Sequence, residues 1–207
     1  MKKALIAIVV LTTLTVAHAE NLTSNGFSYD YVQGIYSGGT YKDTVSGSAV
    51  SADITGYNFR ISKLVSENVF LEGAYETAKS TSMKISGTSY AVGIDGSSTE
   101  FSIGYRLGIN DSSDFNITAG VAQMKLSASY NGTQLVSESK NTYPITVALR
   151  SKLSPELEIQ TSFRREDSES TYTIGVGYAI NKTIALVGGL QPSDKGDTYF
   201  VGLRVNY

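Results

Sequence analysis

From residue 26 to the C-terminus, bulky apolar side chains recur at every second position. This period of two, rather than 3.6, marks strands with two chemically different faces. Between 97 and 109 one face carries Thr99, Phe101, Ile103, Tyr105, Leu107 and Ile109, and the other Glu100, Ser102, Gly104, Arg106 and Gly108. Tyr143, Ile145, Val147 and Leu149 oppose Pro144, Thr146, Ala148 and Arg150 in the same way. At the C-terminus Tyr199, Val201, Leu203, Val205 and Tyr207 oppose Phe200, Gly202, Arg204 and Asn206. The alternation predicts ten strands, near 26–38, 50–63, 69–80, 97–109, 115–128, 139–151, 157–166, 171–180, 184–191 and 198–207. Gln33 and Gln123 interrupt the apolar faces of the first and fifth, and Gly188 and Gly189 thin out the ninth.

The connections alternate as well. Polar turns at 64–68, 110–114, 153–156 and 181–183, built from Asn, Asp, Ser and Pro, separate strand pairs. The intervening loops at 40–49, 81–96 and 130–139 are longer and rich in Ser, Thr and Gly. Tight turns on one side and longer loops on the other characterise membrane barrels, and an even strand number puts both chain ends on the turn side.

Alternation alone leaves open whether the apolar face meets a core or lipid, and three features choose lipid. The polar face combines charges with Gly56, Gly104, Gly108, Gly175, Gly177 and Gly202, which suit a crowded interior better than a surface. Tyr57, Tyr143, Tyr199 and Tyr207 stand on the apolar face at strand ends, where a membrane protein sets its aromatic girdle. Most strands also reach the ~9–11 residues that a spanning strand needs. Since lipid cannot satisfy an open sheet edge, the sheet must close. The fold expected is all-β: a closed, antiparallel, up-and-down transmembrane β-barrel of about ten strands.

The first residues have another character. Lys2 and Lys3, the apolar run 4–16 and the A-x-A sequence Ala17-His18-Ala19 read as a signal peptide, 1–19, cleaved to leave a barrel domain at 20–207. Export past an inner membrane and residence in the outer one follow as the expected localisation. Of 17 Lys and Arg and 19 Asp and Glu, loss of Lys2 and Lys3 leaves 15 against 19, a net charge of −4, which argues against nucleic acid as a partner. The chain contains no Cys, and its one histidine, His18, leaves with the signal. Disulfides and thiolate metal sites are therefore excluded, and the familiar histidine-based hydrolases lose their general base. No enzyme activity, cofactor or metal is expected.

With its signal peptide, short hairpins and final strand Tyr199-Phe-Val-Gly-Leu-Arg-Val-Asn-Tyr207, the chain resembles the small Gram-negative outer-membrane β-barrel proteins of the OmpA and OmpX type. The best-known members have eight strands, which makes eight the alternative count. The resemblance implies that Tyr199, Val201, Leu203, Val205 and Tyr207 form the strand read by the barrel assembly machinery. Outer-membrane lipid and lipopolysaccharide are the other expected partners, and a monomer the expected state.

If the apolar face meets lipid, the charges of the other face meet each other. Arg60 and Glu72 flank the 64–68 turn, and Arg150 and Glu158 the 153–156 turn, so a simple hairpin register sets each pair directly opposite. Glu76, Glu100, Arg106, Arg164 and Arg204 share the inward parity. Unpaired buried charge is costly, so a lumen filled by a nearly balanced charge network is the first expectation. The leading functional reading is a non-enzymatic integral outer-membrane protein with an envelope-structural or surface-contact role. A small diffusion pore is the second, with the charges as its constriction. A soluble periplasmic ligand-binding barrel, with the apolar face inside, is the third.

Overall fold

The computed structural model describes residues 26–45 and 47–207; the signal segment with Ala17 and Ala19 lies outside the described residues. Among the described residues thirteen strands form one antiparallel sheet. They are β1 (Tyr31–Val45), β2 (Ser48–Leu64), β3 (Val69–Ser80), β4 (Met83–Ile85), β5 (Thr88–Tyr90), β6 (Val92–Asn110), β7 (Ser113–Tyr130), β8 (Thr133–Thr142), β9 (Ile145–Lys152), β10 (Leu157–Glu166), β11 (Glu169–Ala179), β12 (Ile184–Ser193) and β13 (Gly196–Asn206). Ten of them close a ring in the order β1-β13-β12-β11-β10-β9-β7-β6-β3-β2, and the pairing of β1 with β2 shuts it. Closure removes every edge within the ring.

The apolar face points outward. Phe101, Ile103, Tyr105, Leu107 and Ile109 are exposed, Phe101 at 58%, while Ser102, Gly104 and Arg106 between them are buried. Tyr57 and Tyr143, at 67% and 69% exposure, project outward toward the loop side together with Tyr75, Tyr172 and Tyr199. A barrel with its apolar residues gathered inside is excluded by these orientations, and the soluble ligand-binding reading falls with it.

Three of the tight connections are built alike. In each, the amide of an apolar residue donates to the carbonyl of an apolar residue four positions on: Val65 to Val69 at 2.8 Å, Leu153 to Leu157 at 2.8 Å, and Ile180 to Ile184 at 2.9 Å. The second residue of two of them anchors the turn, Ser154 Oγ accepting from Glu156 and Leu157, and Asn181 Oδ1 from Thr183 and Ile184. These turns reach one residue beyond the stretches that composition marks, and the slip moves the register. Arg60 pairs in register with Ala74 and Glu72 with Ser62; Arg150 pairs with Gln160 and Glu158 with Lys152. Each expected ion pair is thus diagonal rather than directly opposite.

The structure departs from the alternation at the start of the chain and on the loop side. Residues 26–30 are not strand, and the face that carries Gln33 is the inner one: Phe27, Tyr29 and Tyr31 are buried, while Val32, Gly34 and Tyr36 look outward. Strand six is broken at Tyr143-Pro144 into β8 and β9, because proline has no amide to give the ladder; both halves pair with β7. The expected loops are largely sheet. Residues 40–45 and 48–49 extend β1 and β2, 81–96 holds the β4–β5 hairpin on β2, and 130–139 is mostly β8.

In that loop-side extension the polarity of the two faces inverts. Outward positions become polar, as at Asp53, Thr55, Asp95, Ser97, Gln123 and Lys125, while inward ones become apolar, as at Val50, Ala52, Ile54, Ile94, Met124 and Leu126. A barrel wall that rises beyond a bilayer meets water on its outer face, which then has no need to be apolar.

Candidate functional site in the barrel lumen

The sequence brings one acidic or basic residue inward on nearly every strand, and all nine expected lumen residues face the interior. Arg60 Nη1 stands 3.3 Å from Glu72 Oε1, and the Tyr31 hydroxyl donates to Glu72 Oε2 at 3.0 Å. Arg150 grips Glu158 with two parallel bonds of 2.9 Å, the geometry in which arginine binds carboxylate best. Arg204 approaches the same Glu158 at 3.5 Å and donates to Gln33 at 2.9 Å. Nearer the loop side, Arg164 reaches past β9 and β7 to Glu100 at 2.9 Å and also holds Glu166 at 2.8 Å. Ser102 and Thr142 hydroxyls donate to Glu100 and Glu166. Glu76 faces the lumen too, with the Asn58 amide at 3.3 Å as its hydrogen-bond donor.

Several members of the network went unnoticed in the sequence. Arg106 pairs with Asp114 at 3.1 Å, the two being 4% and 0% exposed. Asp114 shares the inward parity of β7, and Glu166 that of β10, so parity alone would have found both. Phe27 and Tyr29 carried a signal of the same kind, since they stand in phase with the polar Gln33.

Those two aromatics close the turn side of the lumen. The segment 26–30 leaves β1 and crosses to the opposite wall, where β7 and β9 stand. Tyr29 packs on Phe70 with ring centroids 4.7 Å apart and accepts from Asn116 at 3.4 Å. The Arg150 guanidinium lies 4.8 Å from the Phe27 ring and 5.0 Å from that of Tyr29, with Arg106 5.5 Å from Tyr29. These are cation–π distances in a desolvated setting. Arg150 Nη1 also donates to the Ser28 carbonyl at 3.2 Å.

Buried Asp30 fixes the root of the segment, held by Lys63 at 2.8 Å and the Leu64 amide at 2.6 Å. The terminal Tyr207 joins the same rim, its amide donating to the Asp30 carbonyl and its hydroxyl to the Ser62 carbonyl. Tyr199, Val201, Leu203 and Val205 face outward on β13, which zips to β1 from Asn206–Tyr31 to Gly196–Tyr41.

Above this floor lies a cavity of about 650 Å³, lined by Ser37, Glu76, Glu100, Arg164, Met124, Leu126 and Phe200 among others. Among the described residues no cluster of Asp, Glu, His or Cys is arranged to hold a metal ion.

The fold has known counterparts. It resembles the translocator domain of the autotransporter NalP from Neisseria meningitidis, with a TM-score of 0.55 and 12% identity over 100% of this chain and 98% of that one. The transport unit of the autotransporter AIDA-I from Escherichia coli gives 0.53 and 11% over 96% and 97%. Neisserial surface protein A gives 0.50 and 12% over 87% and 98%. At such identities the likeness concerns the fold alone. No curated protein sequence matches the chain. A family model, described as the outer membrane protein beta-barrel domain, matches residues 6–207. With that match over almost its whole length and a closed barrel turned apolar side outward, the chain belongs to the outer membrane protein beta-barrel domain family.

Proposed function

We propose that the mature chain, freed of residues 1–19, is a monomeric, non-enzymatic protein integral to the outer membrane, where its barrel anchors a surface-exposed sheet extension. Outer-membrane lipid and lipopolysaccharide surround it, and β13, with Tyr199, Val201, Leu203, Val205 and Tyr207, is the strand that the barrel assembly machinery reads. Its role is envelope-structural or surface contact, carried by the β4–β5 and β7–β8 hairpins that rise above the ring. The observation behind this reading is the closed floor: Phe27, Tyr29 and Phe70 pack against Arg150 and Arg106 across the turn side of the lumen. Small barrels filled by side chains leave no continuous water path.

Planar-bilayer recording with purified protein tests it, and no stepwise conductance is expected at neutral pH. The double variant Phe27→Ala, Tyr29→Ala should then show steps, because it opens the floor under the cavity. Steps from the unmodified protein would replace this reading with that of a small diffusion pore, which the 650 Å³ cavity favours. In cells, deletion should alter detergent sensitivity or surface attachment; a change in neither would remove the proposed role.

A further inference from the structure

The cavity above the floor joins two chemically different surfaces. One is acidic. Glu100 and Glu166 share the Arg164 guanidinium, and Glu76 takes the Asn58 amide as its hydrogen-bonding partner. Arg60 below is bridged to Glu72 while its charge also reaches Glu100 and Glu76, and Lys140 at the mouth is engaged by Asp167, so Glu72, Glu76, Glu100 and Glu166 still outnumber the guanidinium groups of Arg60 and Arg164. Glu138, on the inward face that carries Leu126, adds a carboxylate at the mouth, while Lys125 beside it belongs to the outer face.

The other surface is apolar. Where the polarity of β6 and β7 inverts, Met124 and Leu126 turn toward the cavity, with Leu126 56% exposed, and Ile35 and Phe200 line it as well. The two surfaces are contiguous. One cross-strand row runs Glu76, Ser98, Met124 and the next Ala78, Gly96, Leu126, so that only small residues separate the carboxylate from the apolar wall.

We infer that this cavity is a binding site for a small amphipathic organic cation, entering from the loop side. Its ammonium group sits beside Glu76, and its apolar body lies on Met124 and Leu126. The cavity of about 650 Å³ has the size of a small-molecule site. A cation supplies what the carboxylates lack, and an apolar body covers side chains otherwise left in water. A neutral amphiphile would leave the excess charge unanswered, and an anion would be repelled.

The test uses the full mature barrel in lipid nanodiscs, titrated calorimetrically with naphthylmethyl-trimethylammonium and, separately, with neutral naphthylmethanol, empty nanodiscs giving the partition background. Saturable one-to-one binding of the cation, at least about tenfold tighter than of the alcohol, is expected. Glu76→Gln should weaken the cation about tenfold or more and leave the alcohol unchanged.

A second variant, Gly96→Leu, fills the cavity from a position where a Cβ meets Ala78 and Leu126 at an ordinary 3.8 Å. It should abolish saturable binding while the barrel keeps its heat-modifiable gel mobility. Equal affinity for cation and alcohol, Glu76→Gln binding like the unmodified protein, or uptake no greater than by empty nanodiscs would each overturn the site. None of these results bears on whether the barrel conducts.

Discussion

Gly104 and Phe70 face each other across β3 and β6, and the glycine exists for the ring. A Cβ at 104 would land within the Phe70 side chain, which is itself held under Tyr29. Phe200 lies similarly over Gly175 and Gly189. Gly104, Gly175 and Gly189 are therefore hollows that let aromatic rings enter a narrow lumen. Gly104→Ala should destabilise the barrel by about 1–3 kcal/mol in urea unfolding, as overpacking does. The double variant Gly104→Ala, Phe70→Leu should recover part of that loss. A single variant as stable as the unmodified protein would show that the ring has room elsewhere. The charge network obeys the same economy, since each arginine of the floor answers a carboxylate and, at Arg150, Arg106 and Arg204, an aromatic face as well.

At the scale of elements, the legible strands were those that carry lipid on one face. β3 and β10 span the residues that alternation marks, because Leu71, Tyr75, Ile159 and Phe163 contrast with Glu72, Glu76, Glu158 and Arg164. β4, β5 and the 133–138 part of β8 were illegible for a physical reason. They stand in water above the ring, where neither face needs a continuous apolar row, and Ser, Thr and Gly composition reads as loop. The 26–30 segment misled in the opposite sense: its aromatics continue a strand pattern, yet they are filling and not lipid contacts.

Above the loop-side tyrosine belt, one tie joins distant elements. Lys195, in the β12–β13 turn, meets Asp43 of β1 at 2.6 Å, and the Tyr41 hydroxyl donates to the same carboxylate at 2.8 Å. The Lys195 hydrogen bond, then those of Tyr41 and the Thr44 amide, hold the Asp43 carboxyl down at about 2. A folded value below the ordinary 3.8 means that this tie is in full force above pH 3.8 and is lost as pH falls through about 2. An NMR titration of the Asp43 carboxyl should show a midpoint near 2 that moves up toward 3.8 in Lys195→Ala. A midpoint near 3.8 in the unmodified protein would contradict the tie.

For the whole molecule, the aromatic filling of the turn side and the inversion of polarity on the loop side define three zones. A floor of arginines, carboxylates and aromatics closes the turn side, a lipid-facing belt surrounds the middle, and a sheet extension with polar outer faces rises above. Orientation of the alternating faces governs all three, and the absence of cysteine from the chain allows a direct measurement. Single cysteines placed in turn from residue 99 to 109 on β6, Gly104 excepted, and spin-labelled in lipid bilayers report accessibility to oxygen dissolved in the hydrocarbon. Maxima are expected at Phe101, Ile103, Tyr105 and Leu107 and minima at Glu100, Ser102 and Arg106. Maxima at the latter set, or accessibility without a period of two, would contradict this orientation.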